Sequence, residues 1–156
     1  GALGRAPGDH KPDDHPVLGA LAALGPMREG QTAWLKEKVA EPWFRDAPFK
    51  LLFCHIPLWW TDEVTDVGDW RFSKLCRDAW LPTLESAGVN LVISGHTHDH
   101  AYLPPGNDRP IGQLIGGAPR PKYATILEGL ANERKLNLKM TSLNGLALYE
   151  LDFPAS

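Results

Sequence analysis

Apolar positions change their spacing several times along the chain, and each change predicts a different element. Between Arg28 and about Glu41, the residues Gln31, Trp34, Leu35 and Val39 recur every three or four positions, as on one face of a helix, and Pro42 is expected to end it. Phe49 to Cys54 is then apolar nearly throughout and closes on His55-Ile56-Pro57, the pattern of a buried strand. Helical spacing returns in Phe72, Leu75, Cys76, Ala79, Trp80 and Leu84, with Pro82 expected to kink or divide the helix and Gly88 to stop it. Val89 to Ser94 repeats the buried-strand pattern and runs straight into Gly95-His96-Thr97-His98.

Beyond the Pro-Pro-Gly-Asn turn at 104–107 only strand patterns remain: Ile111 to Ile115, Tyr123 to Leu127, Lys135 to Thr141 and Leu146 to Phe153. Leu136, Leu138 and Met140 alternate with polar neighbours, as do Ala147, Tyr149, Leu151 and Phe153, so each strand should cover a core with one face. Asn144-Gly145 between them is a strong hairpin signal. Two apolar strands joined by a helix are expected to pair in parallel. The expected class is therefore α/β, a parallel strand–helix–strand unit followed by antiparallel strands. Residues 1–27, rich in Gly, Pro and Asp, read as a loop-rich N-terminal segment, with 28–156 as the folded part.

The 156 residues amount to one domain, given the usual ~100–200 residues per domain. With 43% hydrophobic and 22% charged residues they suffice for a packed core. A net charge of −3 gives no general attraction to nucleic acid or to an anionic membrane, so an anionic substrate would depend on local groups or on metal. No run approaches the ~20 apolar residues of a membrane span. Cys54 and Cys76 make no disulfide framework and read as small core residues, which suits a reducing compartment without fixing one. The chain opens on Gly1 with no signal-peptide layout, so a fragment or processed chain is expected, and the compartment stays open.

Candidate chemistry lies at the strand ends. A single histidine such as His55 is most often structural. Gly95-His96-Thr97-His98 says more, because imidazoles two positions apart in a tight turn can face one concavity, with Gly95 expected to permit the unusual backbone. Functional groups of parallel sheets gather at the carboxyl ends of the strands, so His55, His96 and His98 are expected to meet at one edge. Clustered imidazoles suit Zn, Fe, Ni or Mn ions, and the lack of a thiolate set points to metal-assisted hydrolysis rather than a structural zinc.

Phe53-Cys54-His55-Ile56-Pro57 and Ser94-Gly95-His96-Thr97-His98-Asp99 together resemble the calcineurin-like metallophosphoesterases, whose members share a strand-ending histidine and a later Gly-His-x-His. Arg28-Glu29-x-Gln31-x-x-Trp34-Leu35, Trp80-x-Pro82-x-Leu84 with Ala87-Gly88-Val89-x-Leu91, the Ala124-Thr125 strand, and Gly116-Gly117-Ala118-Pro119 are similar to the flanking elements of a bacterial branch. The likeness runs over about residues 8–153. It implies two stacked sheets with helices outside, this chain corresponding to the C-terminal half of that sandwich. It also implies two divalent or trivalent metal ions of Mn, Fe, Zn or Ni type, one bound by His55 and His96 and the other by His98. A metal-bridging hydroxide would attack phosphorus in line, with the ions ~3.5–4 Å apart as in other two-metal sites.

The family's Asp-x-His, Gly-Asp-x-x-Asp and Gly-Asn-His-Asp/Glu motifs are not found. They would supply the bridging Asp, an Asn ligand and the histidine that protonates the leaving group. Asp13-Asp14-His15 and Gly8-Asp9-His10 imitate two of them, but neither follows an apolar strand and they come in the wrong order, so both are excluded as ligands.

Around the histidines, Asp99 is expected to orient a ligand imidazole. His100 is a leaving-group base or a structural residue bonded to a carbonyl, and no catalytic residue is assigned in this chain. Trp59 and Trp60, with Trp70 beyond, either wall a substrate or pin their loop to the core. Asp62, Glu63, Asp66 and Asp69 read as a solvated face. The expected function is metal-dependent hydrolysis of a phosphomonoester or phosphodiester by the full-length parent, this chain holding part of the site and being inactive alone. The alternative is a non-catalytic binding module on the same fold. Neither a nucleic-acid nor a membrane partner is indicated, and an exposed sheet edge is expected to make the chain self-associate.

Overall fold

The computed structural model describes residues 29–60 and 70–155. Helix α1 covers 29–40 and is followed by the short α2 (Pro42–Arg45), strand β1 (Leu51–Phe53), the long helix α3 (Trp70–Ser86) and β2 (Leu91–Ser94). Five further strands follow: β3 (Ala101–Leu103), β4 (Gly112–Ile115), β5 (Thr125–Ala131), β6 (Lys135–Ser142) and β7 (Ala147–Pro154).

The strands form two sheets, one of order β1-β2-β4-β3 and one of order β5-β6-β7. β1, β2 and β4 run parallel, β3 lies antiparallel on β4, and the second sheet is antiparallel throughout. The period of two along β2 explains the layering. Val92 turns to one side and packs with Leu35 of α1, Leu84 of α3 and Trp59. Leu91 and Ile93 turn to the other, against Leu136, Leu138 and Met140 of β6. Helices, first sheet and second sheet are thus three layers, and the class is mixed α/β with two sheets. Leu84, Leu91 and Leu114 are at most 1% exposed, and each such burial contributes about 1.5–3 kcal/mol.

The structure departs from the sequence pattern at several points. Pro42 ends α1 but also opens α2, where its fixed φ and missing N–H suit a first helical turn. Pro82 does not divide α3, which continues to Ser86 with Trp80, Leu81 and Leu84 packed on the core around it. Gly88, at φ 69°, then closes the helix: Gly88 N–H donates to Glu85 O and Val89 N–H to Leu84 O, both at 3.0 Å. The expected buried first strand is a three-residue edge strand, with Phe53 67% exposed. The run 111–115, expected to open an antiparallel series, is instead inserted parallel to β2, and the short β3 forms the outer edge. Among the described residues no helix is long and apolar enough to cross a membrane.

Candidate functional site

The three parallel strands deliver their carboxyl ends to one edge. Cys54 N–H donates to Ile93 O (3.0 Å) and Gly95 N–H to His55 O (3.1 Å), continuing the β1–β2 ladder past both strands. That pairing brings the side chains together. His55 Nε2 lies 3.1 Å from His96 Nδ1, with ring centroids 4.9 Å apart and planes at 81°. Trp60 stands edge-on to His96 at 6.0 Å, its indole N–H bonded to Ser73 Oγ of α3.

The turn carrying the later histidines is strained, though not where the sequence suggested. His96 (φ 70°) and His98 (φ 61°) hold the left-handed conformations, while Gly95 does not. A non-glycine residue there costs about 1–2 kcal/mol. Two such residues within three positions are a feature that clusters at functional sites. The two side chains have different neighbours. His96 reaches His55, whereas His98 is exposed and lines an open concavity of about 440 Å³ with Ala118, Pro119, Arg120 and Tyr123. Among the described residues no three His, Cys, Asp or Glu side chains are gathered closely enough to hold a metal ion.

The pair nonetheless fits the edge of a coordination shell. Two nitrogens each about 2.0–2.1 Å from one ion, at angles between octahedral and tetrahedral, lie about 2.8–3.4 Å apart. The observed 3.1 Å falls within that range, and it equally suits one imidazole donating to the other. Cys54 adds no thiolate. Burial, and then the neighbouring Cys76, push its thiol up to about 12.

No protein-family model matches the sequence, and no curated protein does. Among solved structures the chain is similar to a single mutant of Vps29 from Entamoeba histolytica, with a TM-score of 0.40, 20% identity, and coverage of 69% of this chain and 57% of that one. It is also similar to a predicted phosphoesterase from Streptococcus pneumoniae TIGR4, at TM-score 0.32 and 12% identity over 52% and 49% of the two chains. A Zn²⁺ complex of wild-type Entamoeba Vps29 gives 0.29 and 19% over 59% and 50%. The chain spans about half the length of these structures. Likeness of this degree decides neither family nor activity.

The remaining candidates have plain structural partners. The Asp99 carboxylate accepts the backbone N–H of His100 at 2.8 Å, capping its own turn rather than an imidazole. His100 Nδ1 lies 3.3 Å from Tyr149 Oη, bonding β7 of the second sheet rather than a carbonyl. Trp59 is 4% exposed and belongs to the core, so of the two candidate wall residues only Trp60 borders the histidine pair. Residues 8–15 and 61–69 lie outside the described residues.

Two residues had no signal in the sequence. Gln113 of β4 is fully buried, its carboxamide oxygen accepting from Leu58 N (2.7 Å) and Trp59 N (3.2 Å) and its nitrogen donating to Trp59 O (2.5 Å). It fixes the loop between His55 and Trp60. Arg120 is the other, in the turn after β4, and neither residue type nor spacing marks it out.

Proposed function

We propose that this chain carries part of the site of a metal-dependent phosphoester hydrolase, with His55 and His96 holding one ion and His98 facing a second. The observation that carries the reading is the 3.1 Å approach of two imidazole nitrogens from the ends of adjacent parallel strands. Left-handed backbone at His96 and His98 supports it, since that strain is retained where side-chain placement matters. Bound metal would supply Lewis-acid polarisation of a phosphoryl oxygen and an activated water. The chain's own contribution is placement. The continued β1–β2 ladder sets the separation of the two rings, Gln113 holds the following loop, and Trp60 covers one side of His96.

The test is cobalt and zinc titration of the purified chain, read by cobalt absorption and calorimetry. Uptake near one equivalent, lost in His55→Ala and in His96→Ala, is expected. No uptake, or uptake indifferent to both substitutions, sinks the reading. A second reading, a non-catalytic binding module, is favoured by the gathering of two rather than three metal-capable side chains among the described residues. It predicts no metal uptake at all.

A further inference from the structure

We propose that Arg120 is an anion-binding residue, holding a phosphoryl oxygen of a ligand seated against His98. The assignment of a phosphoryl group, rather than another oxyanion, rests on the function proposed above.

The turn that carries Arg120 is built rigidly. It leaves β4, the third parallel strand, through Gly116, whose N–H donates to Ser94 O at 2.7 Å and so ties it to the end of β2. Within it, the Arg120 carbonyl accepts from Tyr123 N and Ala124 N, both at 2.9 Å, and Ala118 N–H donates to Tyr123 O at 3.1 Å. Gly117 N–H is bonded to Thr125 Oγ1 at 3.0 Å. The base of the arginine is therefore fixed beside the histidine turn, while its side chain is exposed.

Charge points to the ligand. Arg120 and His98 line the same concavity, and none of its lining residues is acidic. Among the described residues no carboxylate pairs with the Arg120 guanidinium, in contrast to Arg45, which Asp46 neutralises. In a chain of net charge −3, an exposed arginine beside a concavity with no acidic lining residue is a local exception that a bound anion would satisfy. The planar fork of guanidinium matches the paired oxygens of a phosphoryl group.

The test uses the purified chain in excess chelator, titrated separately with inorganic phosphate, phenyl phosphate and acetate while the backbone amide resonances of 116–124 are followed. Saturable shifts with both phosphates are expected. Arg120→Met should weaken them at least about tenfold, the order of one charge-assisted contact, and Arg120→Lys should retain part of the binding. Failure of the parent chain to saturate, equal binding by Arg120→Met, or acetate binding as tight as phosphate would each overturn the proposal. Because metal is chelated, these outcomes are separate from those of the zinc and cobalt titration.

Discussion

The side chain of Gln113 grips both polar ends of Trp59, its amide nitrogen donating to the carbonyl at 2.5 Å and its oxygen accepting from the N–H at 3.2 Å. The same oxygen takes Leu58 N–H at 2.7 Å, and all three residues are buried. Leucine at position 113 would strand these backbone groups away from water, at about 1–3 kcal/mol for each group left unsatisfied. Gln113→Leu is therefore expected to lose at least about 3 kcal/mol of stability in urea denaturation, three groups being left unsatisfied. Zinc affinity should fall with it, because the loop joining His55 to Trp60 loses its anchor. A stability loss below about 1 kcal/mol would mean that the loop finds other partners.

Two glycines should respond to alanine with opposite signs. A Cβ on Gly117 would lie 1.9 Å from Tyr123 O, closer than any real contact, so Gly117→Ala must open the turn and break its brace to Thr125. Gly30 sits in α1 with nothing within 4 Å of an added Cβ. Thermal denaturation should show Gly117→Ala less stable by about 1–3 kcal/mol and Gly30→Ala more stable by about 0.5–1 kcal/mol. Equal responses would contradict the close packing of the 117–124 turn.

The elements that sequence spacing made legible are those in which one face meets one core. Leu136, Leu138 and Met140 alternate in the sequence and are 6%, 4% and 2% exposed in β6. The hairpin at Asn144-Gly145 joins β6 to β7 as its turn residues require. Strand direction was another matter. An apolar run at 111–115 says that both faces are buried, not that the chain first passes through β3 and returns parallel to β2. The histidines at the strand ends were visible, and so was the joining of β1 to β2 that brings His55 to His96. The left-handed backbone at His96 and His98 was not, because residue type gives no sign of positive φ at either histidine. Gln113 and Arg120 are ordinary polar residues whose roles arise from partners brought near only by the fold.

Acid should loosen the second sheet at one identifiable point. Asp152 on β7 faces Asn137 on β6, which donates to it at 2.8 Å, and Lys135 Nζ lies 2.8 Å from its other oxygen. These contacts, Asn137 first, hold its carboxyl below its ordinary value of 3.8. A carboxyl lowered by folding adds stability that is present above the unfolded value and is lost as pH falls through the folded one. Stability of the parent should therefore drop below about pH 4 more steeply than that of Asp152→Asn. Both ends of the contact are solvent-exposed, so the difference should be small and should shrink in salt. Parallel acid profiles for the two proteins would remove Asp152 from the account.

The outer edge of β1 carries a different consequence. β1 is the terminal strand of its sheet, and among the described residues no strand pairs with its free side. Phe53 there is 67% exposed, and Trp34 of α1, at 57%, lines the same cavity of about 240 Å³ with Phe53 and His55. Unpaired backbone beside exposed aromatic surface is a template for another strand. A second copy offers the same edge in return, so a two-fold contact satisfies both chains at once. Sedimentation velocity over a range of concentrations should show self-association of the parent and a shift towards monomer in Phe53→Lys, a charge of the kind that blocks edge pairing. A parent that stays monomeric at every concentration, or association that Phe53→Lys leaves untouched, would show that this edge is not where copies meet.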